Sequence, residues 1–305
     1  MLPVIVVESL RKSYGKVQAV RDVSFEVQAG EIFGLIGPNG AGKTTTLECV
    51  EGLRRPDAGR IRVLDLDPVR DARALQPRIG VQLQEAHLQK RITVREALTL
   101  WSRLYTHTVD PDALLLQLGL QEKRDSWFMT LSGGQKQRLF IALALIHDPE
   151  VVFLDELTTG LDPQARRAIW DLVRGIRARG KTVVLTTHLM EEAERLCDRV
   201  AIVDHGRVID VGSPEALIGR HCPDVSVRIA SDDARTATLL SACRSVTGVE
   251  AAGAGAWLVR GTGPDFLDDV LACLTTNGVH VRAVQSQVAT LEDVFLRLTG
   301  HSIRD

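Results

Sequence analysis

The feature that most constrains this chain is one run of residues. Glu31–Ile36 is a compact apolar stretch of strand character, and it runs straight into Gly37-Pro38-Asn39-Gly40-Ala41-Gly42-Lys43-Thr44. A helix is expected from Thr46 onward. Strand, glycine loop and helix in that order match the pattern G-x-x-x-x-G-K-[ST] in the context it requires. Glycines let backbone N–H groups curl around phosphate oxygens, and a helix N-terminus adds positive potential there. Lys43 supplies a point charge for the β- and γ-phosphates, and Thr44 a hydroxyl for Mg²⁺. A chain built this way needs a largely parallel sheet with crossover helices. The short β-branched runs Ile79–Leu83, Val151–Leu154 and Thr182–Thr186 supply further strands for it.

Two other segments carry chemistry. Val151–Leu154 delivers Asp155 and Glu156 to a strand end, where the first can hold Mg²⁺ and the second can polarise a water. Alone, two acids at a strand end read as solvated. Leu131-Ser132-Gly133-Gly134-Gln135 precedes the helical run Lys136–Ile146. Ser132 and Gln135 have capping-box spacing, which explains those two residues but not both glycines. The G-x-S-x-G elbow of serine hydrolases is absent, so Ser132 is not read as a nucleophile.

In this order the three motifs resemble the nucleotide-binding subunit of an ABC transporter over residues 1 to about 220. The resemblance implies an ABC-type P-loop α/β domain at 1–220, with a helical insertion at about 85–150. It implies ATP and Mg²⁺ as cofactors. The phosphate loop, Gly37 through Thr44 with Thr45, would hold ATP, and Tyr14 would stack on adenine. Mg²⁺ would fall to Thr44, Asp155 and Gln84, the last also sensing water and the membrane subunit. Glu156, His188, Gln84 and Lys43 would carry hydrolysis. Ser132, Gly133, Gly134, Gln135 and Asp162 would meet ATP held by a second copy, in a head-to-tail homodimer. Each has a bland alternative: a surface ring for Tyr14, a polar loop residue for Gln84, a helix N-cap for Asp162, a satisfied loop histidine for His188. Leu157 follows Glu156 where the wider family usually has proline, and Asp65 replaces a usual turn glycine. Neither removes a catalytic group.

The last residues are a second region, 221–305. Strands are expected at Val225–Ala230, Gly248–Ala252, Ala256–Arg260 and Val279–Val284. Helices are expected at Asp233–Cys243, Pro264–Thr276 and Thr290–Leu298. The order β-α-β-β-α-β-α implies a small ferredoxin-like α+β domain. Its closing segment, Leu291 to Gly300, is similar to the tail of ATPases in the daunorubicin-resistance branch of drug and antibiotic exporters.

The longest apolar run, Leu139–Ile146, is far short of the ~20 residues a spanning helix needs. A separate integral membrane permease is therefore implied, with this chain peripheral on the cytoplasmic face of the membrane. The helical insertion is expected to contact that permease. Its stripe Leu98, Trp101, Leu104 and Tyr105 is read as core packing. With 37 Lys+Arg against 39 Asp+Glu, bulk charge gives no support to nucleic-acid binding, and none is expected. Five widely spaced cysteines without a CxxC pair suggest neither a zinc site nor a disulfide framework. The competing functions are a soluble ABC-type regulator of ribosome or DNA, and a nucleotide sensor that does not hydrolyse. The first usually needs two nucleotide modules or a long coiled coil, and intact Glu156 and His188 argue against the second.

Overall fold

A computed structural model describes residues 3–83, 87–253, 255–263, 265–287 and 289–301. It divides between Pro214 and Glu215 into two compact units, the second being Glu215–His301.

The first unit is organised by the fully buried strands Ile32–Ile36, Val151–Asp155 and Thr182–Thr187. Strands covered on both faces read as near-continuous runs of apolar or hydroxyl side chains, and these do, apart from Gly34 and the buried Asp155 at the end of its strand. Arg199–Asp204, Ile32–Ile36, Thr182–Thr187, Val151–Asp155 and Ile79–Gln82 lie side by side and parallel. Pairing puts Ile36 beside Thr187 and Asp155 beside Thr186, so three chain segments leave the sheet at one edge. That edge is where the chemistry lies. The other end of the sheet is antiparallel. Pro3–Tyr14 pairs with Val17–Gln28 and with Ala58–Val63. Here Val23, Phe25 and Val27 are buried while Ser24 and Glu26 are exposed, the two-residue period of a half-covered strand.

Between the strands Ile79–Gln82 and Val151–Asp155 the described residues form three α-helices. Val94–Ser102 opens on a capping box of Thr93 and Glu96. Pro111–Gln117 opens on Asp110, and Gly133–Leu145 on Ser132. The stripe expected in the first of these is only partly core. Leu98 is fully buried, but the helix ends at Ser102 and Leu104 is 68% exposed. Trp101, Leu104 and Tyr105 instead line a groove.

In the second unit the strand order is Val246–Ala251, Ala256–Gly261, Val225–Ala230, Ala283–Gln287, all antiparallel. With helices Thr236–Ser241 and Phe266–Thr276 between strands, this is the ferredoxin-like β-α-β-β-α-β arrangement. One sheet face and both helices enclose Val227, Ile229, Leu240, Val259, Phe266, Val270 and Leu274. Each large side chain so enclosed contributes about 1.5–3 kcal/mol of transfer free energy. The last strand differs from the expected Val279–Val284. Gly278 takes a left-handed φ of 68°, and the Val279 N–H bonds back to the Leu274 carbonyl at 2.9 Å. Val279 thereby closes the preceding helix and fills the core. The ladder begins only at Ala283.

Candidate active site

Ile36 ends its strand at Gly37, whose φ is 155°. A Cβ there would overlap the Val203 carbonyl, so only glycine lets the loop turn this close to the neighbouring strand. Gly42, at φ 98°, is the N-cap of the helix Lys43–Val50. The helix thus begins at Lys43 and not at Thr46, because the left-handed glycine completes the turn early. This sets Lys43, Thr44 and Thr45 in the first helical turn, with their N–H groups among those a helix leaves unpaired.

Lys43 is 4% exposed. Its Nζ donates to the carbonyls of Gly37 and Pro38, each at 2.9 Å, and lies 3.9 Å from Glu156 Oε1. Burial lowers its pKa, and the charges of Glu156 and Asp155 oppose that shift. Asp155 is also buried. Thr186 Oγ1 donates to its Oδ1, and Thr44 Oγ1 does so at 3.4 Å. Burial raises the Asp155 pKa, while the two hydroxyl bonds pull it down.

Glu156 stands at a left-handed φ of 47°. For a residue with a Cβ this costs roughly 1–3 kcal/mol and persists only where the surroundings hold it. The Glu156 N–H donates to Thr186 Oγ1 at 3.1 Å, and Thr159 Oγ1 donates to Glu156 Oε2 at 3.3 Å. Held this way, Glu156 Oε1 is 3.6 Å from His188 Nδ1. A cation, a carboxylate and an imidazole therefore stand in a row beside the Thr44–Asp155 pair. Thr186 was not singled out by sequence reasoning, although its hydroxyl links the two acids. Its signal is slight: a β-branched hydroxyl two residues before His188.

The remaining expected residues sit elsewhere in the chain. Ser132 and Gln135 form the expected capping box, with Gln135 N–H to Ser132 Oγ at 3.3 Å and Ser132 N–H to Gln135 Oε1 at 2.9 Å. One of the two glycines has a packing reason: a Cβ on Gly134 would lie 3.2 Å from Ala165 Cβ, whereas one on Gly133 would meet Leu161 at an ordinary 3.5 Å. Asp162 is an N-cap, accepting from Gln164 and Ala165 N–H groups at 3.0 and 2.9 Å. Asn39 and Gly40 are exposed at the loop tip, Pro38 is half-buried and Ala41 is buried. Tyr14 is 41% exposed, with Lys12 and Arg54 each within 6 Å of its ring centre. Leu157 is buried. Gln84 lies outside the described residues.

Comparison with known proteins defines the class. Residues 20–159 match the family model described as ABC transporter. The chain is 40% identical to the Nod factor export ATP-binding protein I of Ralstonia nicotianae (strain ATCC BAA-1114 / GMI1000), over 99% of this chain and 96% of that one. It is 42% identical to the protein of the same name from Paraburkholderia xenovorans (strain LB400), over 98% and 97%. A solved ATP-binding subunit of an ABC transporter superposes with a TM-score of 0.64 at 29% identity, covering 71% of this chain and 92% of its own. The chain belongs to the ABC transporter family. It is an ATP-binding subunit and an ATPase.

Proposed function

We propose that this subunit energises export through a separate membrane permease, and that it works as a head-to-tail homodimer closed by two ATP molecules. The observation that carries the reading is the contact row Lys43–Glu156–His188 beside the Thr44–Asp155 pair. Lys43 exchanges its two loop carbonyls for the β- and γ-phosphates. Glu156 orients the attacking water and accepts its proton, and His188 bridges to the γ-phosphate. Ser132, Gly134 and Gln135 meet the γ-phosphate held by the opposite copy, so ATP binding shuts the dimer and hydrolysis reopens it.

The hydroxyl of Thr44 and the carboxylate of Asp155 are hard oxygen donors of the kind Mg²⁺ takes, with Gln84 as a further ligand. The ion, when bound, offsets charge on the β- and γ-oxygens. Export is supported by the relatives, which are named Nod factor export ATP-binding proteins. The cargo class we assign is a drug, antibiotic or lipid-like molecule. No helix among the described residues is long and apolar enough to cross a membrane. Attachment at the cytoplasmic face then falls to the permease. A groove of about 460 Å³, lined by Leu53, Leu75, Trp101, Leu104 and Tyr105 with Glu51 among them, supports docking there.

The test is light scattering of the wild type and Glu156→Gln with ATP, with phosphate release in parallel. A stable dimer of the variant and turnover by the wild type are expected, with kcat of the variant lower by at least about 100-fold. Hydrolysis by the variant at the wild-type rate removes Glu156 from its role. Monomers of both proteins in ATP overturn the homodimer.

A further inference from the structure

Glu192 is a carboxyl in the interior of the first unit, 2% exposed. One of its oxygens, Oε1, accepts from Thr158 Oγ1 at 2.8 Å and from Trp170 Nε1 at 2.9 Å. Thr158 and Trp170 are buried too. Three segments thus meet at one oxygen. Thr158 follows Glu156 on the same turn. Trp170 sits on the helix Pro163–Ala178, which Asp162 caps. Glu192 is on the helix Met190–Leu196, which begins two residues after His188.

Packing alone does not account for this choice of residues. A buried carboxyl costs free energy even when it is hydrogen-bonded, and apolar groups of the same shape fill such a site at lower cost. The bonded set does something apolar packing cannot: it fixes a direction and a distance between the turn that bears Glu156 and the helix behind His188. Glu156 needs such a restraint, because its φ of 47° is a strained conformation. Thr186 restrains it from the N-terminal side, through the Glu156 N–H. Thr158 restrains the same turn from the C-terminal side.

We propose that Glu192 is a positioning residue for ATP hydrolysis: through Thr158 and Trp170 it holds Glu156 and His188 at their working separation. This rests on the roles given to Glu156 and His188 above. Glu192 acts through Thr158 and Trp170 and not on the reacting atoms themselves. It sets where two reacting side chains stand, and misplacement by about 1 Å costs on the order of 100-fold in rate. The loss therefore falls on kcat, while the phosphate loop still binds ATP with an unchanged KM.

The experiment measures steady-state phosphate release by the full chain for Glu192→Gln, Glu192→Leu, Thr158→Val and Trp170→Phe. The Trp170 indole N–H resonance, assigned by its loss in Trp170→Phe, reports the anchor independently of turnover. Glu192→Gln keeps the acceptor oxygen, so its kcat is expected within about threefold of wild type. Glu192→Leu and Thr158→Val are expected to lower kcat by about 10–100-fold, with KM for ATP within about twofold. Thr158→Val is expected to add little in the Glu192→Leu background, since both remove one link. A shifted indole resonance in Glu192→Leu with unchanged kcat overturns the proposal. So does an equal loss in kcat and in ATP affinity, which marks general damage to the fold. Failure of the underlying roles is separate: it shows as wild-type turnover in Glu156→Gln while the Trp170 resonance still answers to residue 192.

Discussion

The interior of the first unit holds Lys43, Glu51, Asp155 and Glu192. Among the described residues of the second unit, the buried polar side chains are Ser231 and Thr236. Those two hydroxyls satisfy each other and nearby carbonyls: Thr236 Oγ1 donates to the Asp233 carbonyl at 2.7 Å, and Ser231 Oγ to that of His280 at 3.1 Å. Such an interior is cheap to form and is held together by area and shape. In the first unit, burial pushes the pKa of Lys43 down and that of Asp155 up, both against their charged forms. Charged groups kept inside at that cost cluster at functional sites, and the proposed site is where these two stand. The difference separates two kinds of sensitivity. Substitutions at the first site are expected to change rate, and those in the second core to change stability.

The sharpest test of that separation is His188→Ala. Loss of the group 3.6 Å from Glu156 is expected to lower kcat by about 100-fold or more, read by phosphate release at saturating ATP. A change below threefold would place His188 outside the reaction. Next comes Phe266→Ala in the second core, where the ring is 1% exposed. It is expected to destabilise that unit by about 3–5 kcal/mol, seen as faster hydrogen exchange across 225–287. The turnover of folded chains should stay within about twofold, and a larger drop would break the comparison.

Glu51 gives a smaller effect with a defined pH dependence. Burial raises its pKa to about 8, with Asp155 and Glu48 adding to the shift. The unfolded chain gives up this proton at an ordinary carboxylate pH, near 4.5, whereas the folded chain keeps it until about 8. Its contribution is thus fully present below pH 4.5 and is lost as pH rises to about 8. Glu51→Gln, which mimics the protonated form, should gain on the wild type across that range. The gain is expected to reach on the order of 1–3 kcal/mol by pH 8–9, measured by denaturant melts at several pH values. A gap that does not vary with pH would remove Glu51 as its source. The weakest effect is at Arg260, whose exposed pair with Glu250 is 2.8 Å long. Arg260→Ala should cost less than about 1 kcal/mol, and less again in high salt.

The readable parts of the molecule were those whose chemistry lies within one stretch of chain. Gly37 through Thr44 reads as a phosphate loop because the whole motif lies in eight adjacent residues. Asp155 and Glu156 are readable because a four-residue apolar strand leads to them. The alternation of Val225–Ala230 gives one strand of the second unit for the same reason. Periodicity failed where local geometry interrupted it. Leu104 continues the helical spacing of Leu98 and Trp101, but the helix stops at Ser102 and the side chain faces outward. Val279 and Val281 resemble a strand, yet a left-handed Gly278 turns Val279 into the core. The Thr158–Glu192–Trp170 anchor was invisible, since its members lie 34 and 22 residues apart. Nothing about a single glutamate in an exposed-looking run, Met190-Glu191-Glu192-Ala193-Glu194, marks the middle one as buried.

By itself the sequence determined the nucleotide chemistry. The phosphate loop, the paired acids and the strand patterns are encoded over short spans, where backbone conformation follows from the residues themselves. Tertiary structure alone decided the distances that make those residues a site. Lys43 meets Glu156, Glu156 meets His188, and Thr186 joins Asp155 to Glu156 because parallel strands remote in the chain end at one edge of the sheet. Which carboxyls lose water was settled there as well. Glu192 and Glu51 are buried while Glu191 and Glu194 are not fully so, because burial depends on what packs over a side chain. That covering comes from strands and helices far away in the chain, beyond the reach of local pattern.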